Sequence, residues 1–115
     1  MDIKHLQDFL QSFADQRNWN QFHNPKNISM ALAGESGELL EVFQWLTAEE
    51  SMKENLGPEN MQAAKEEIAD VFIYTLRLAA ILGIDIEHAF WEKMDKNAKK
   101  YPPGIQANGG LGFNK

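Results

Sequence analysis

Glu59-Asn-Met-Gln-Ala-Ala-Lys-Glu-Glu67-Ile-Ala-Asp70-Val-Phe-Ile-Tyr74-Thr-Leu-Arg77-Leu-Ala-Ala-Ile-Leu82 reads as one long helix that becomes apolar nearly all round after Ile68. A helix of that kind belongs in a core, so the segment is expected to form the centre of the fold, buried on several sides. It also contains a conflict. Glu67 and Asp70 are three residues apart and share a helix face, and Asp70 is set among Ile68, Ala69, Val71, Phe72 and Ile73. A carboxylate in apolar surroundings is costly unless it is paired or bound by a cation. An ion pair with Arg77 or Lys65 is one answer for Asp70. A metal ion is another. Gly83 suits the left-handed position after a helix end, and Asp85 suits the N-cap of a further helix that reaches about Lys100 and is closed by Pro102-Pro103-Gly104.

Upstream, Gly57-Pro58 is a stop-and-restart signal, and Thr47 to Pro58 lapses into polar residues with room for a short helical turn. Before it, apolar residues at Ile28, Leu32, Leu39, Val42, Phe43 and Leu46 follow helical spacing, which predicts a helix from about Asn27 to Leu46. Glu35 lies on that buried stripe and Glu38 at its edge. The stretch Trp19-Asn-Gln-Phe-His23-Asn-Pro25 reads as a loop closed by its proline. Leu6, Phe9, Leu10 and Phe13 predict an amphipathic first helix that ends near Asn18. No segment alternates like a strand. The fold class is therefore all-α, a bundle of four main helices with short connections. At 115 residues and 43% hydrophobic content, one domain over residues 1–103 is expected. It is small for a helical enzyme that must also form a pocket, and oligomerisation would complete it. Residues 104–115, rich in Gly and Asn, are expected to form a flexible or partner-contacting tail.

The two pairs Glu35-x-x-Glu38 and Glu67-x-x-Asp70 would point four carboxylates at one place if their helices packed together. With 17 acidic residues in the chain, such spacing arises easily on solvated faces. Its position within apolar stretches is what singles it out. All the ligands are hard oxygens and the chain has no cysteine, so Mg²⁺ is the expected ion, with Mn²⁺ as the alternative. Glu41 and Glu66 read as solvated neighbours of the pairs. Trp19, His23, Trp45 and Tyr74 form a second group. Tryptophan in a small helical domain is usually core, but Trp19 belongs to a polar loop and Tyr74 stands one turn beyond Asp70, within reach of a stacked base. Lys93, Asn97 and Lys100 share a face of the last helix. Cations there suit the helix dipole in any protein, and they could also hold phosphate oxygens.

A formal net charge of −6 argues against a nucleic-acid polymer as partner, because backbone binding rests on Lys and Arg. The start Met1-Asp-Ile-Lys-His5 lacks the apolar run of a signal peptide, and no stretch is long and apolar enough to span a bilayer, Ile68 to Leu82 being interrupted by Asp70 and Arg77. A soluble cytoplasmic protein without a membrane partner is expected, and the lack of cysteine suits a reducing compartment.

The run Asn27-Ile-Ser-Met-Ala-Leu-Ala-Gly-Glu35-Ser-Gly-Glu38-Leu-Leu-Glu-Val-Phe-Gln-Trp45, followed by Glu67-Ile-Ala-Asp70-Val-Phe-Ile-Tyr74, resembles the MazG-type all-α nucleoside triphosphate pyrophosphohydrolases, most of all their short dCTP pyrophosphatase branch. Arg17-Asn-Trp19, Phe22-His23, Pro25-Lys-Asn27, Lys93-Met-Asp, Asn97 and Tyr101-Pro102 carry the same resemblance. It implies Glu35, Glu38, Glu67 and Asp70 as Mg²⁺ ligands and catalytic carboxylates. It implies Lys93, Asn97, Lys100 and Tyr101 near the triphosphate, and Trp19, His23, Trp45 and Tyr74 around base and sugar. It further implies cleavage between the α and β phosphates of a nucleoside triphosphate, nucleotide-pool house-cleaning, and a homodimer or homotetramer. Leu10 stands where the resemblance places a base-contacting histidine in the animal enzymes, which implies a range broader than dCTP. Glu38, at the edge of the apolar stripe where water can reach, is the expected base. The competing readings are a non-catalytic metal- or nucleotide-binding regulatory module and a purely structural helical oligomer.

Overall fold

The N-terminal helix starts where Asp2 supplies a cap, its carboxylate accepting from the His5 backbone N–H at 3.1 Å. In the computed structural model, which describes residues 1–103, this helix α1 runs Ile3–Gln16. The tail expected over residues 104–115 lies outside the described residues. Arg17 caps α1, and Asn18 takes φ 57°, a left-handed conformation that asparagine tolerates better than most side chains. That reversal lets the Trp19 N–H donate to the Ala14 carbonyl at 3.0 Å. Trp19 is thereby set edge-on to Phe13, with centroids 5.6 Å apart.

Helix α2 runs Pro25–Phe43, earlier at both ends than the periodicity predicts. Pro25 opens the helix; it does not close the loop. At the first helical position its missing N–H is one that no helix carbonyl would have accepted, and Asn24 before it caps the Asn27 N–H at 2.9 Å. After Gln44 the chain makes turns, not a helix. Thr47 and Glu50 form a reciprocal box, with Thr47 N–H donating to Glu50 Oε1 at 2.8 Å and Glu50 N–H to Thr47 Oγ1 at 3.1 Å.

Helix α3, Pro58–Leu82, ends at Gly83 with φ 69°, as its sequence predicts. It is the axis of the first unit, Met1–Gly83. Helix α2 packs along it, and α1 packs on it less extensively. Among the described residues, Ala14, Ile28, Ala64, Leu76 and Ala79 are the buried apolar ones. Gln7 joins α1 to α3 by donating to the Leu76 carbonyl at 3.0 Å. The expected burial of α3 on several sides is corrected here: Ile68 is 56% exposed and Phe72 39%, because α1 and α2 cover only part of its circumference.

Helix α4, Ile86–Lys100, belongs to a second unit beginning at Ile84. Asp85 caps it through the His88 N–H at 3.1 Å, and Lys99 and Lys100 occupy its last turn. The described residues contain four helices and no strand, and none of these helices is long and apolar enough to cross a membrane.

Candidate active site

The packing of α2 against α3 brings three of the four paired carboxylates together, and Asp70 stands outside that group. One carboxylate oxygen each from Glu35, Glu38 and Glu67 lie within 4.8 Å of one another. Glu35 and Glu67 are half-buried and Glu38 is exposed, as their places on the apolar stripes require. The Glu38 carboxyl beside it, then burial, then Glu67, hold Glu35 up to about 7. Burial, ahead of its acidic neighbours, raises Glu67 above the usual carboxylate range. The charge of Asp70 acts on both.

Glu35 Oε2 and Glu67 Oε2 are buried and have no hydrogen-bond partner. Buried carboxylate oxygens are normally satisfied. Two orphaned oxygens in a donor set made wholly of carboxylates fit a hard divalent cation. An open groove of about 370 Å³, lined by Glu38, Glu41, Val42, Ala63 and Glu67, gives solvent and ligand access to one side of the cluster. Glu41 therefore shares a surface with the pair residues.

Asp70 links this cluster to a second feature. It lines a cavity of about 240 Å³ whose wall includes Leu10, Phe13, Trp19, His23, Tyr74 and Arg77. The wall is mainly apolar, with a few polar groups that can orient a ligand, as in many small-molecule sites. No ion pair joins Asp70 to Arg77 or Lys65; the ion pairs among the described residues are Lys4–Asp8 and His88–Glu92. Arg77 is instead 5% exposed and donates to His23, Gln11 and Asn20. Burial, and then the Arg77 charge, lower the His23 imidazole below its ordinary value. Sequence reasoning gave Arg77 no role in the cavity; the available signal was an arginine within the apolar half of α3.

Trp45 does not line the cavity. It follows α2 and is 87% exposed. Lys93, Asn97 and Lys100 are carried by α4, and Tyr101 caps it, its N–H donating to the Asn97 carbonyl at 2.8 Å. Lys100 Nζ lies 5.4 Å from the Tyr101 ring centroid.

The MazG-like family model matches residues 30–108. Human dCTP pyrophosphatase 1 is 46% identical over 90 residues, which cover 78% of this chain and 53% of that protein. The Bos taurus dCTP pyrophosphatase 1 is 44% identical over the same shares. The chain thus spans about half the length of the curated relatives it matches. Among solved structures, the crystal structure of a pyrophosphatase from Archaeoglobus fulgidus aligns with a TM-score of 0.78 and 40% identity, over 86% of this chain and 91% of that one. With an all-α fold, three carboxylates brought together from α2 and α3, and these matches, the chain belongs to the MazG-like family.

Proposed function

We propose that this chain is a divalent-metal-dependent nucleoside triphosphate pyrophosphohydrolase that cleaves between the α and β phosphates to give a nucleoside monophosphate and pyrophosphate. The observation that carries the reading is the carboxylate trio with two orphaned oxygens, linked by Asp70 to an aromatic-walled cavity. The pyrophosphatase relatives support it, and those named for dCTP support dCTP or related deoxynucleotides as substrates. Leu10 in the cavity wall adds no polar selection of its own, which favours a broader range of bases. A house-cleaning role in the nucleotide pool follows from that chemistry.

Glu35, Glu67 and Asp70, with Glu38, would hold Mg²⁺ or Mn²⁺. Such an ion neutralises charge on phosphate oxygens and makes a bound water more acidic. Glu38, exposed to the groove, orients the attacking water and takes its proton. Trp19 and Tyr74 wall the base, and His23 hydrogen-bonds to it. Trp45 contacts base or sugar from its exposed position. Lys93, Asn97, Lys100 and Tyr101 hold phosphate oxygens. A homodimer or homotetramer is supported by large apolar side chains left exposed on α1 to α3, among them Phe9, Leu40 and Ile68; a monomeric mass by light scattering would remove that part.

The test is incubation with a panel of nucleoside triphosphates, with and without Mg²⁺, following pyrophosphate and orthophosphate separately. Mg²⁺-dependent pyrophosphate with equimolar monophosphate is expected. Nucleotide binding without pyrophosphate release would instead favour a regulatory binding module.

A further inference from the structure

Two walls of the cavity come from segments far apart in the chain and are tied by one side chain. Arg77 Nε donates to His23 Nδ1 at 3.1 Å, Nη1 to Gln11 Oε1 at 2.6 Å and Nη2 to Asn20 Oδ1 at 3.0 Å. Both amides are fixed from behind. Gln11 Nε2 donates to Asp15 Oδ1 at 2.8 Å, and Asn20 Nδ2 donates to the same oxygen at 2.6 Å. Each amide shows its oxygen to the guanidinium and its NH₂ to the carboxylate, so neither can be turned round without losing both bonds. These bonds also hold the Asp15 carboxyl below its usual range, Asn20 first and Gln11 second. The charge of Arg77 is thus balanced by Asp15 across two amides, and its planar fork is held in one orientation.

An imidazole nitrogen that accepts from an N–H carries no proton of its own. Arginine has donors and no acceptor, and it does not give up its proton. His23 Nδ1 therefore accepts, and the imidazole proton sits on Nε2. We propose that Arg77 is a positioning residue that selects the nucleotide by holding His23 in its Nε2–H tautomer, so that the imidazole in the cavity wall offers the base a hydrogen-bond donor and no acceptor. The matching ligand presents a carbonyl oxygen or an unprotonated ring nitrogen at that edge of its base. An amino group there would meet donor with donor and leave both unpaired, which discriminates more strongly than a lost methylene does. The identity of the ligand as a nucleotide rests on the pyrophosphohydrolase reading; the tautomer does not.

The test uses the whole 115-residue chain labelled with ¹⁵N in its histidine rings and long-range ¹H–¹⁵N correlation. In the wild type, His23 is expected to give the Nε2–H pattern at neutral pH, and an Nδ1–H pattern would overturn the assignment without any variant being needed. The Arg77→Met protein should lose the single pattern and Arg77→Lys, which keeps a charged donor without the planar fork, should partly restore it. With Mg²⁺ present, saturating dCMP should shift the His23 Nε2–H resonance while deoxyribose 5-phosphate leaves it in place; equal responses would remove the contact with the base. In turnover, Arg77→Met should raise KM about tenfold, the loss of one aligned hydrogen bond, with the larger part of the effect on KM and the smaller on kcat. His23→Gln, which keeps a donor at its tip, should discriminate among bases better than His23→Leu. The two readings fail separately. An Nδ1–H pattern with hydrolysis intact overturns the Arg77 assignment alone. An Nε2–H pattern that responds to dCMP, with no pyrophosphate released from any triphosphate, overturns the enzyme and leaves the assignment standing.

Discussion

Glu35 is held up to about 7 against an ordinary carboxylate value of 4.5, by Glu38, burial and Glu67 in that order. Between those two values the folded chain binds more protons at this site than the unfolded chain, so stability falls as pH rises through the window. In metal-free protein the Tm is expected to decline from pH 4.5 to 7, and Glu35→Gln to flatten the decline; thermal melts in EDTA across that range check it, and an unchanged slope in the variant would remove Glu35 as the cause. His23 has the opposite sign, since its lowered value costs stability as pH falls through its ordinary 6.5. Divalent-cation affinity should rise with pH, because the ligand carboxylates must be ionised. Glu38→Gln should lower turnover by about a hundredfold or more, the usual scale for losing a general base, with little change in KM; steady-state kinetics on the best nucleotide check it. At this scale the acidic pairs were legible because three-residue spacing on an apolar stripe is a local signal. The role of Arg77 was not, because its partners Gln11, Asn20 and His23 lie 66, 57 and 54 residues away.

Helix boundaries were legible wherever one residue type settles them. Gly83 is the clearest case: at φ 69° it occupies a region that costs a side chain free energy whatever the surrounding space, and a Cβ built there meets nothing within 4 Å. Gly83→Ala should therefore destabilise the protein by about 1 kcal/mol through backbone conformation alone, and urea melts of the two proteins check it. Asp85 after it caps α4 as its type predicts. Pro25 was less legible, because a proline both ends loops and begins helices, and the Asn24 cap decided between them. The stretch from Thr47 makes the short turn its polar residues leave room for, closed by the Thr47–Glu50 box and by the Ser51 N–H donating to the Thr47 carbonyl at 3.1 Å.

For the molecule as a whole, the all-α class could be read from periodicity, as could the central place of α3 within the first unit. The extent of burial could not. An apolar residue in a sequence shows a preference to be covered without showing by what; the chain's own helices leave Ile68 and Trp45 largely exposed and Phe72 partly so. One arrangement has a consequence for the chain's integrity. Glu35 and Glu38 precede the connector over residues 44–57, and Glu67 and Asp70 follow it. The connector is made of turns and is mostly exposed, a natural place for a protease to cut. A single cut there would leave two fragments, each bearing one acidic pair, that repel at neutral pH. In Mg²⁺ the nicked halves should stay together to a higher urea concentration than in EDTA, so that a cation shared between α2 and α3 would do part of the work of the severed peptide bond.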